Sequence, residues 1–481
     1  HLLSRRQRQM CIRDSSRSDC TTILVGKNAT IDGSTIVSRN EDSSFGACPK
    51  KFIVVEPKNQ PRTYQAKLSK VKITLPPKRE ALRYTCTPDA IGDKGIWGES
   101  GINSENVAMS ATETITSNPR ILGVDPLVED GIGEEDMLTL VLPYVHSAKE
   151  GVLRLGSILE EYGTYEMNGI AFSDKDEVWY LETYGGHQWA AVRIPDDAYV
   201  VAPNRTNIDE FDFDSDDTLS APGLKELIEK HHLNPDHDKY NFRHIFGSST
   251  IKDTRYNNPR AWYVQKYFDA ELPYGPEEQE LPFICHAKRR ISIEDVKWLL
   301  SSHYQNTDFD PYGPGTESQK KRYRPIGINR NQEGHILQIR NDVPEEIAGI
   351  HWVFVGPNTF NAAIPFYANV NDTPACYRDV SGEFDLKTVF WLTRTLAVLG
   401  DTDYDRYSEL EASFEEKVVS ACRNLQLKAD QVAVTKKNPV KYLTEINNQM
   451  AEIDLNEATK LLGDMVDVGG NHMKLKFDLH D

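Results

Sequence analysis

Cys20 heads an apolar, β-branched run, Thr21-Thr22-Ile23-Leu24-Val25, that ends in the turn signal Gly26-Lys27-Asn28. A second run, Ser34-Thr35-Ile36-Val37-Ser38, leads into the polar cluster Arg39-Asn40-Glu41-Asp42. Strand, tight turn and strand make a hairpin. Antiparallel pairing then returns Arg39 and Asp42 to the end of the first strand, where Cys20 sits. A thiol beside a fixed cation and a carboxylate is the setting of a nucleophilic cysteine, because the thiolate attacks and a nearby cation favours it. The alternative reading of the same spacing is an inert buried cysteine with surface charges at a strand end, since free cysteine is often buried.

Other chemistries find no support in the spacing. No GxSxG, HExxH, P-loop or dinucleotide fingerprint occurs in a fitting context. The 13 histidines offer no recognisable Cys–His setting, and His231, His232 and His237 read as a solvated helix end rather than a metal site, with no Cys or paired carboxylate at ligand spacing. No metal or cofactor is expected. Cys48, Cys86, Cys285, Cys376 and Cys422 read as inert core thiols.

The stretch CTTILVGKNATIDGSTIVSRNEDS resembles the start of the cysteine dipeptidases of lactic acid bacteria, which are N-terminal-nucleophile hydrolases related to secernins and choloylglycine hydrolases. Residues 97–183, 198–214 and 253–268 resemble the same family in the same order. The resemblance implies a four-layered αββα sandwich and hydrolysis of dipeptides through a thioester on Cys20. In that class the nucleophile is the first residue of the mature chain and its own α-amine is the base, a group that titrates at about 7.7–8.0. By resemblance, Asp42 orients the amine and Arg39 favours the thiolate, three residues apart as in the wider family. Asn204, after the run Val201-Ala202-Pro203, would donate to the oxyanion, and Arg260 matches a later active-site arginine; a turn residue and a helix-surface charge are the alternatives. There is one departure. Where bile-salt and penicillin hydrolases carry an asparagine after the strand Ala108-Met109-Ser110-Ala111-Thr112, this chain offers Glu113. A carboxylate there suits binding of a substrate α-ammonium, with a satisfied strand-end acid as the alternative.

The elements that must hold these residues follow from pattern. Short strands are expected at 51–56, 70–75, 84–87 and 106–112, then helices at 137–145 and 149–162. Strands return at 169–173, 178–183, 189–194 and 199–202, and again at 335–339, 350–355 and 364–368. A helix is expected near 224–232 and another at 260–268; 308–324 reads as a flexible surface excursion. From 403 onward the pattern is helical, at 407–422 and 440–465, with apolar positions suited to packing on the rim or on another subunit. Strands, two helices, strands and helices make an α+β chain and fit a four-layered αββα sandwich. The expected organisation is a leader at 1–19, a hydrolase domain at 20–400 and a C-terminal helical segment at 401–481 packed on the same domain.

A formal charge of −18 over 481 residues argues against nucleic acid and anionic membranes as partners. Small peptides and further copies of the chain, as a homo-oligomer, are the expected partners. Seven scattered cysteines without a CxxC pair suggest a reducing cytosol. Residues 1–19, with five Arg and no apolar core, read as non-native or removed. Two competing readings stand beside the dipeptidase. One is a linear-amide acylase or bile-salt hydrolase on the same fold; the other is a non-catalytic, secernin-like interaction protein.

Overall fold

The computed structural model describes residues 20–43 and 46–475, so the expected leader and Cys11 lie outside the described residues. The hairpin forms, but residues 26–34 join its strands as a longer connection in place of the expected tight turn. Strand β1 (Thr21–Val25) pairs antiparallel with β2 (Thr35–Asp42), with Thr21 opposite Asn40 and Thr22 opposite Arg39. The chain continues through β3 (Ile53–Val55), β4 (Thr63–Gln65), β5 (Lys72–Thr74), β6 (Tyr84–Cys86), β7 (Ser100–Asn103) and β8 (Ala108–Thr114). A meander follows, β9 (Asn168–Ser173), β10 (Val178–Tyr184), β11 (Gln188–Ile194) and β12 (Tyr199–Pro203), then β13 (Thr218–Ser220) and β14 (Ile284–Cys285). The last three strands are β15 (Asn331–Ile339), β16 (Gly349–Val355) and β17 (Ile364–Tyr367).

These strands form two large antiparallel sheets. One has seven strands in the order β14-β12-β1-β2-β15-β16-β17; the other has eight, β13-β11-β10-β9-β8-β7-β6-β3. The hairpin lies at the centre of the first, flanked by β12 and β15. Alternation along β1 sends Ile23 and Val25 into one core with Tyr199, Val264 and Val296, and Leu24 into another with Val37, Ala171 and Tyr180. The second of these cores joins the two sheets face to face, so β1 and β2 are covered on both sides. That is why Ile23-Leu24-Val25 and Ile36-Val37 are consecutive apolar residues rather than alternating with polar ones.

Helices cover the outer faces. α1 (Glu134–Val141) and α2 (Ala148–Tyr162) pack on the eight-stranded sheet. Val152, Leu155 and Leu159 of α2 meet Phe172, Trp179 and Leu181 of the strands. Gly151 and Gly156 permit that approach: a Cβ would stand 2.5 Å from Phe172 Cδ1 and 2.3 Å from Trp189 Cζ2 respectively. α1 stops before the expected 145 because Pro143 cannot continue a helix, and Leu142–Tyr144 tighten into a single 3₁₀ turn. On the seven-stranded sheet, α3 (Asn258–Phe268) lies against β12 and α4 (Ile293–Leu300) against β2 and β15. Beyond them come α5 (Ala375–Arg378), α6 (Val389–Asp401) and two long antiparallel helices, α7 (Tyr404–Ala433) and α8 (Val440–Gly470), which pack on each other and on β17. The chain is thus α+β, two antiparallel sheets with long C-terminal helices. The stretch 308–324 departs from expectation at its end. It is largely exposed and holds a short helix, Glu317–Lys320, but Tyr323 and Arg324 turn inward and are buried.

The C-terminal helices carry one buried acid. Asp454 of α8 accepts a hydrogen bond from Tyr377 Oη at 2.7 Å, and its Oδ1 has no partner among the described residues. Burial pushes its carboxyl up to about 7, against the Tyr377 bond, which favours the charged form. The folded chain therefore holds a proton that the unfolded chain releases near 3.9, and stability falls as pH rises from about 4 to about 7. Asp454→Asn, which keeps the acceptor and removes the ionisation, should raise the melting temperature by several degrees at pH 8 and by little at pH 4. Calorimetry at the two pH values measures this; an equal or inverted difference would count against it.

Candidate active site

The pairing of β1 with β2 brings Arg39 beside the β1 end, and there Arg39 Nη1 donates to Cys20 Sγ at 3.3 Å. Cys20, Thr22 and Leu24 alternate toward the space between the sheets, as do Val37 and Arg39. Every nitrogen of the Arg39 guanidinium is held. Nε donates to Ser110 Oγ at 3.0 Å; Nη2 donates to Glu99 Oε2 at 2.6 Å and to the Glu99 carbonyl at 3.2 Å. Glu99 offers both groups to one guanidinium from a left-handed backbone, φ +54°, two residues after Trp97 at +53°. Non-glycine residues rarely adopt that conformation, at a cost of order 1–3 kcal/mol, and such positions cluster at working sites. Glu99 also faces Lys50 at 3.5 Å, and the buried Lys50 ammonium is held by Glu41 at 2.7 Å and Asp89 at 2.8 Å.

Asp42 lies three residues beyond Arg39 and so leaves the opposite face of β2. Its two carboxylate oxygens meet Arg324 Nη2 and Asn331 Nδ2. Thiol and carboxylate therefore approach the β1 end from different sides of the sheet, as alternation along β2 requires. Arg260 approaches from the helix layer. Its Nη1 donates to the Cys20 carbonyl and to Thr21 Oγ1 at 2.8 Å; Nη2 donates to Asn204 Oδ1 at 2.8 Å and Asn257 Oδ1 at 2.7 Å. A π-helical turn, Asp253–Asn257, leads into α3 and presents Asn257 to it, and such turns recur at functional sites. Asn204 follows β12, whose Pro203 faces Thr21, and its Nδ2 donates to the Thr114 carbonyl at 2.9 Å.

Glu113 reaches the site through an irregularity. Strand β8 slips register against β9 between Ala111 and Glu113, which puts Glu113 on the same side as Ser110. Thr22 Oγ1 donates to Glu113 Oε2 at 2.9 Å, while Oε1 has no hydrogen-bond partner among the described residues. Burial pushes the Glu113 carboxyl up to about 8 despite the opposing charges of Arg260 and Arg39. Burial likewise raises the Cys20 thiol well above its ordinary range, opposed by Arg39 and reinforced by Glu113, Asp42 and Glu99. Burial works against the charge on Arg39, yet Glu99 and Cys20 outweigh it and the guanidinium stays charged. Arg260 is lowered, by burial first and then by Arg324.

Cys20, Arg39, Asp42, Trp97, Glu99 and Glu134 share the walls of one cleft. Each sequence-expected residue is thus gathered around the β1 end: Cys20, Arg39 and Glu113 between the sheets, Asp42 and Arg260 at the other side of the seven-stranded sheet, and Asn204 joining Arg260 to Thr114 of the facing sheet. Sequence reasoning passed over Glu99, Ser110, Lys50, Arg324 and Asn331. Glu99 follows the two-glycine stretch Gly95-Ile96-Trp97-Gly98, and Arg324 sits among Lys and Arg residues that read as surface. Among the described residues, no group of three or more His, Cys, Asp or Glu is placed to hold a metal ion, and no helix is long and apolar enough to cross a membrane. The six described cysteines are free thiols.

Known proteins share this chain's sequence over most of its length. Residues 19–417 match Peptidase family C69. Dipeptidase A of Lactobacillus helveticus is 56% identical over 473 residues, which cover 97% of this chain and all of that protein. Probable dipeptidase B of Lactococcus lactis subsp. lactis (strain IL1403) is 55% identical over 477 residues, covering 98% of this chain and all of its own. The Dipeptidase of Bifidobacterium longum (strain NCC 2705) is 45% identical over 442 residues, 86% of this chain and 83% of that one. Matches of this extent, over the hairpin, both sheets and the elements that carry the cleft, show that the chain belongs to peptidase family C69.

Proposed function

We propose that the protein is a cysteine dipeptidase that cleaves through a thioester on Cys20 as the N-terminal residue of the working chain. The observation that carries the reading is the Arg39 Nη1 to Cys20 Sγ contact at 3.3 Å, at a buried strand end in a chain so similar to dipeptidases. The Cys20 α-amine takes the thiol proton, with Asp42 orienting that amine and Arg39 stabilising the thiolate. The sulfur attacks the peptide carbonyl, and the protonated amine gives its proton to the leaving nitrogen. Water, deprotonated by the same amine, then opens the thioester and releases the acid. Arg260 holds the Cys20 carbonyl and so fixes the backbone from which the thiol projects. Asn204 Nδ2 has two hydrogens, of which one goes to Thr114 and the other serves the oxyanion. The outer helices and facing sheets support an αββα sandwich of the N-terminal-nucleophile type, with residues 20–400 as its domain and 401–481 as a helical segment packed on it. Free, scattered cysteines suit a cytoplasmic setting.

A peptide-bonded Cys20 nitrogen is an amide and cannot act as a base. Active preparations should therefore begin Cys-Thr-Thr-Ile by Edman sequencing and lack the mass of residues 1–19. Cys20→Ala should be inactive on every dipeptide. Full activity in a protein whose intact mass still includes residues 1–19 would overturn the N-terminal-nucleophile assignment.

Glu113 is assigned to the substrate α-ammonium, the cation its unpartnered oxygen lacks. Because its carboxyl titrates near 8, ionisation and binding improve together as pH rises from 6 toward 8, where the dipeptide's own amine begins to lose its charge. KM should thus fall with pH up to about 8. Glu113→Gln should abolish that slope and raise KM roughly tenfold, with a smaller change in kcat. An unchanged KM and slope in the variant would remove Glu113 from substrate binding.

A further inference from the structure

Behind Arg39, on the side away from Cys20, the sheets enclose a line of polar side chains that the proposed chemistry does not use. Arg39 Nε donates to Ser110 Oγ at 3.0 Å; Ser110 Oγ lies 2.8 Å from His335 Nε2; His335 Nδ1 lies 2.9 Å from Glu333 Oε2. All four residues are buried. Topology accounts for the alignment. His335 of β15 is directly opposite Arg39 of β2, and Glu333 is opposite Glu41, so these side chains leave one face of the sheet. Ser110 meets them from β8 of the facing sheet. Glu333 Oε1 in turn accepts from Thr87 Oγ1 at 2.7 Å and from Ser100 Oγ at 3.1 Å.

One arrangement of protons satisfies the line. Burial disfavours the Glu333 carboxylate, but the hydrogen bond from His335 and the nearby Arg39 charge hold the group below the usual carboxylate range, so Glu333 is an acceptor. Burial keeps His335 below its ordinary range, so the ring is neutral. Its Nδ1 hydrogen then goes to Glu333, and its Nε2 lone pair accepts from the Ser110 hydroxyl. A Ser110 oxygen lone pair is left for Arg39 Nε–H. The line therefore has a direction, Arg39 to Ser110 to His335 to Glu333. Ser, His and Glu stand at the spacing of a hydrolytic triad, yet this hydroxyl is buried and accepts from a guanidinium, which makes it a poor nucleophile.

The Glu99 carboxylate gives the line its purpose. A carboxylate and a guanidinium prefer a two-pronged pairing. Glu99 already holds Nη2 at 2.6 Å, and a second prong would turn the guanidinium in its plane and withdraw Nη1 from sulfur. Ser110 occupies Nε and opposes that rotation. We propose that Ser110, His335 and Glu333 form a positioning relay that locks the Arg39 guanidinium in the orientation that presents Nη1 to Cys20. This rests on the reading of Cys20 as the nucleophile; none of the three touches the substrate.

The test reads the thiol directly. The rate of Cys20 alkylation by iodoacetamide, followed by peptide mass from pH 6 to 10, should fall roughly tenfold at pH 7.5 in Ser110→Ala, the scale of one hydrogen bond to a charged group. The rise of that rate with pH should be displaced to higher pH, and kcat for a dipeptide should fall in parallel with KM unchanged. Ser110→Thr, which keeps the hydroxyl, should restore the wild-type profile. In an Arg39→Ala background, Ser110→Ala should add nothing, because the relay acts only through Arg39. Should Ser110→Ala not fold, Ser110→Cys has nearly the same shape, accepts poorly and is read the same way. A wild-type alkylation profile in a folded relay variant, or an equal loss without Arg39, would overturn the proposal. Alkylation does not require dipeptide hydrolysis, so failure of the relay and failure of the dipeptidase reading give different results.

Discussion

A guanidinium enclosed between two sheets is stable only if each of its nitrogens finds an acceptor, since an unpaired buried charge is far more costly than an exposed one. Arg39 is 1% exposed, and the structure around it can be read as the answer to that demand. Its acceptors come from three places: Cys20 from β1, Ser110 from β8, and Glu99 from the strained turn before β7. Satisfying Ser110 requires His335 on β15, and satisfying Glu99 draws in Lys50, which brings Glu41 and Asp89. One buried cation thus ties both sheets together and determines what surrounds the thiol. The strain at Trp97 and Glu99 is intelligible as part of the same requirement, because it turns two Glu99 oxygens toward one group.

The hairpin, most strands, the paired helices α1 and α2 and the helical tail were legible because apolar periodicity is local. So were Cys20, Arg39 and Asp42, whose meeting needs nothing beyond the return of one strand on its neighbour. Features set by facing surfaces were not legible. Ser110 reads as an ordinary small residue in Ala108-Met109-Ser110-Ala111, and its partner His335 lies far along the chain. Glu113 was singled out, but its inward aim depends on a register slip in β8 that alternation alone would have missed. Arg324 was hidden by its neighbours: a Lys/Arg-rich loop signals solvent, and nothing in composition shows that the last arginine turns back to Asp42. Helix α4 does leave a local mark in the sequence, the Ser292–Asp295 capping box ahead of an apolar run.

The Cys20 environment sets opposed forces against each other. Burial and three carboxyl groups disfavour the thiolate, and one arginine favours it. On the proposed mechanism these forces favour a neutral resting thiol, whose proton is removed at the moment of attack rather than stored in advance. A base within the site, such as the cysteine's own amine, suits that situation better than a permanently lowered thiol pKa. It is also the reason the proposed relay would act on the thiol through a single guanidinium. With most of the surroundings acting against ionisation, small changes in the Arg39 contact translate directly into thiol reactivity.

Charge pairing around the cleft carries the discrimination between substrates one step further. Arg39 is balanced by Glu99, Lys50 by Glu41 and Asp89, and Arg324 by Asp42. Arg260 and Glu113 fall outside these pairs. The contacts of Arg260 are with neutral oxygens, two carbonyls, a hydroxyl and two amides, and they hold protein backbone in place rather than awaiting a ligand. Glu113 keeps an oxygen with no partner among the described residues. A peptide with a free α-ammonium can supply the missing charge and hydrogen bonds at once, whereas an N-acylated or bile-salt amide brings no cation and leaves the carboxyl to remain protonated. With Glu113 in its proposed role, the electrostatics of the site match unsubstituted dipeptides better than linear amides without a free α-ammonium.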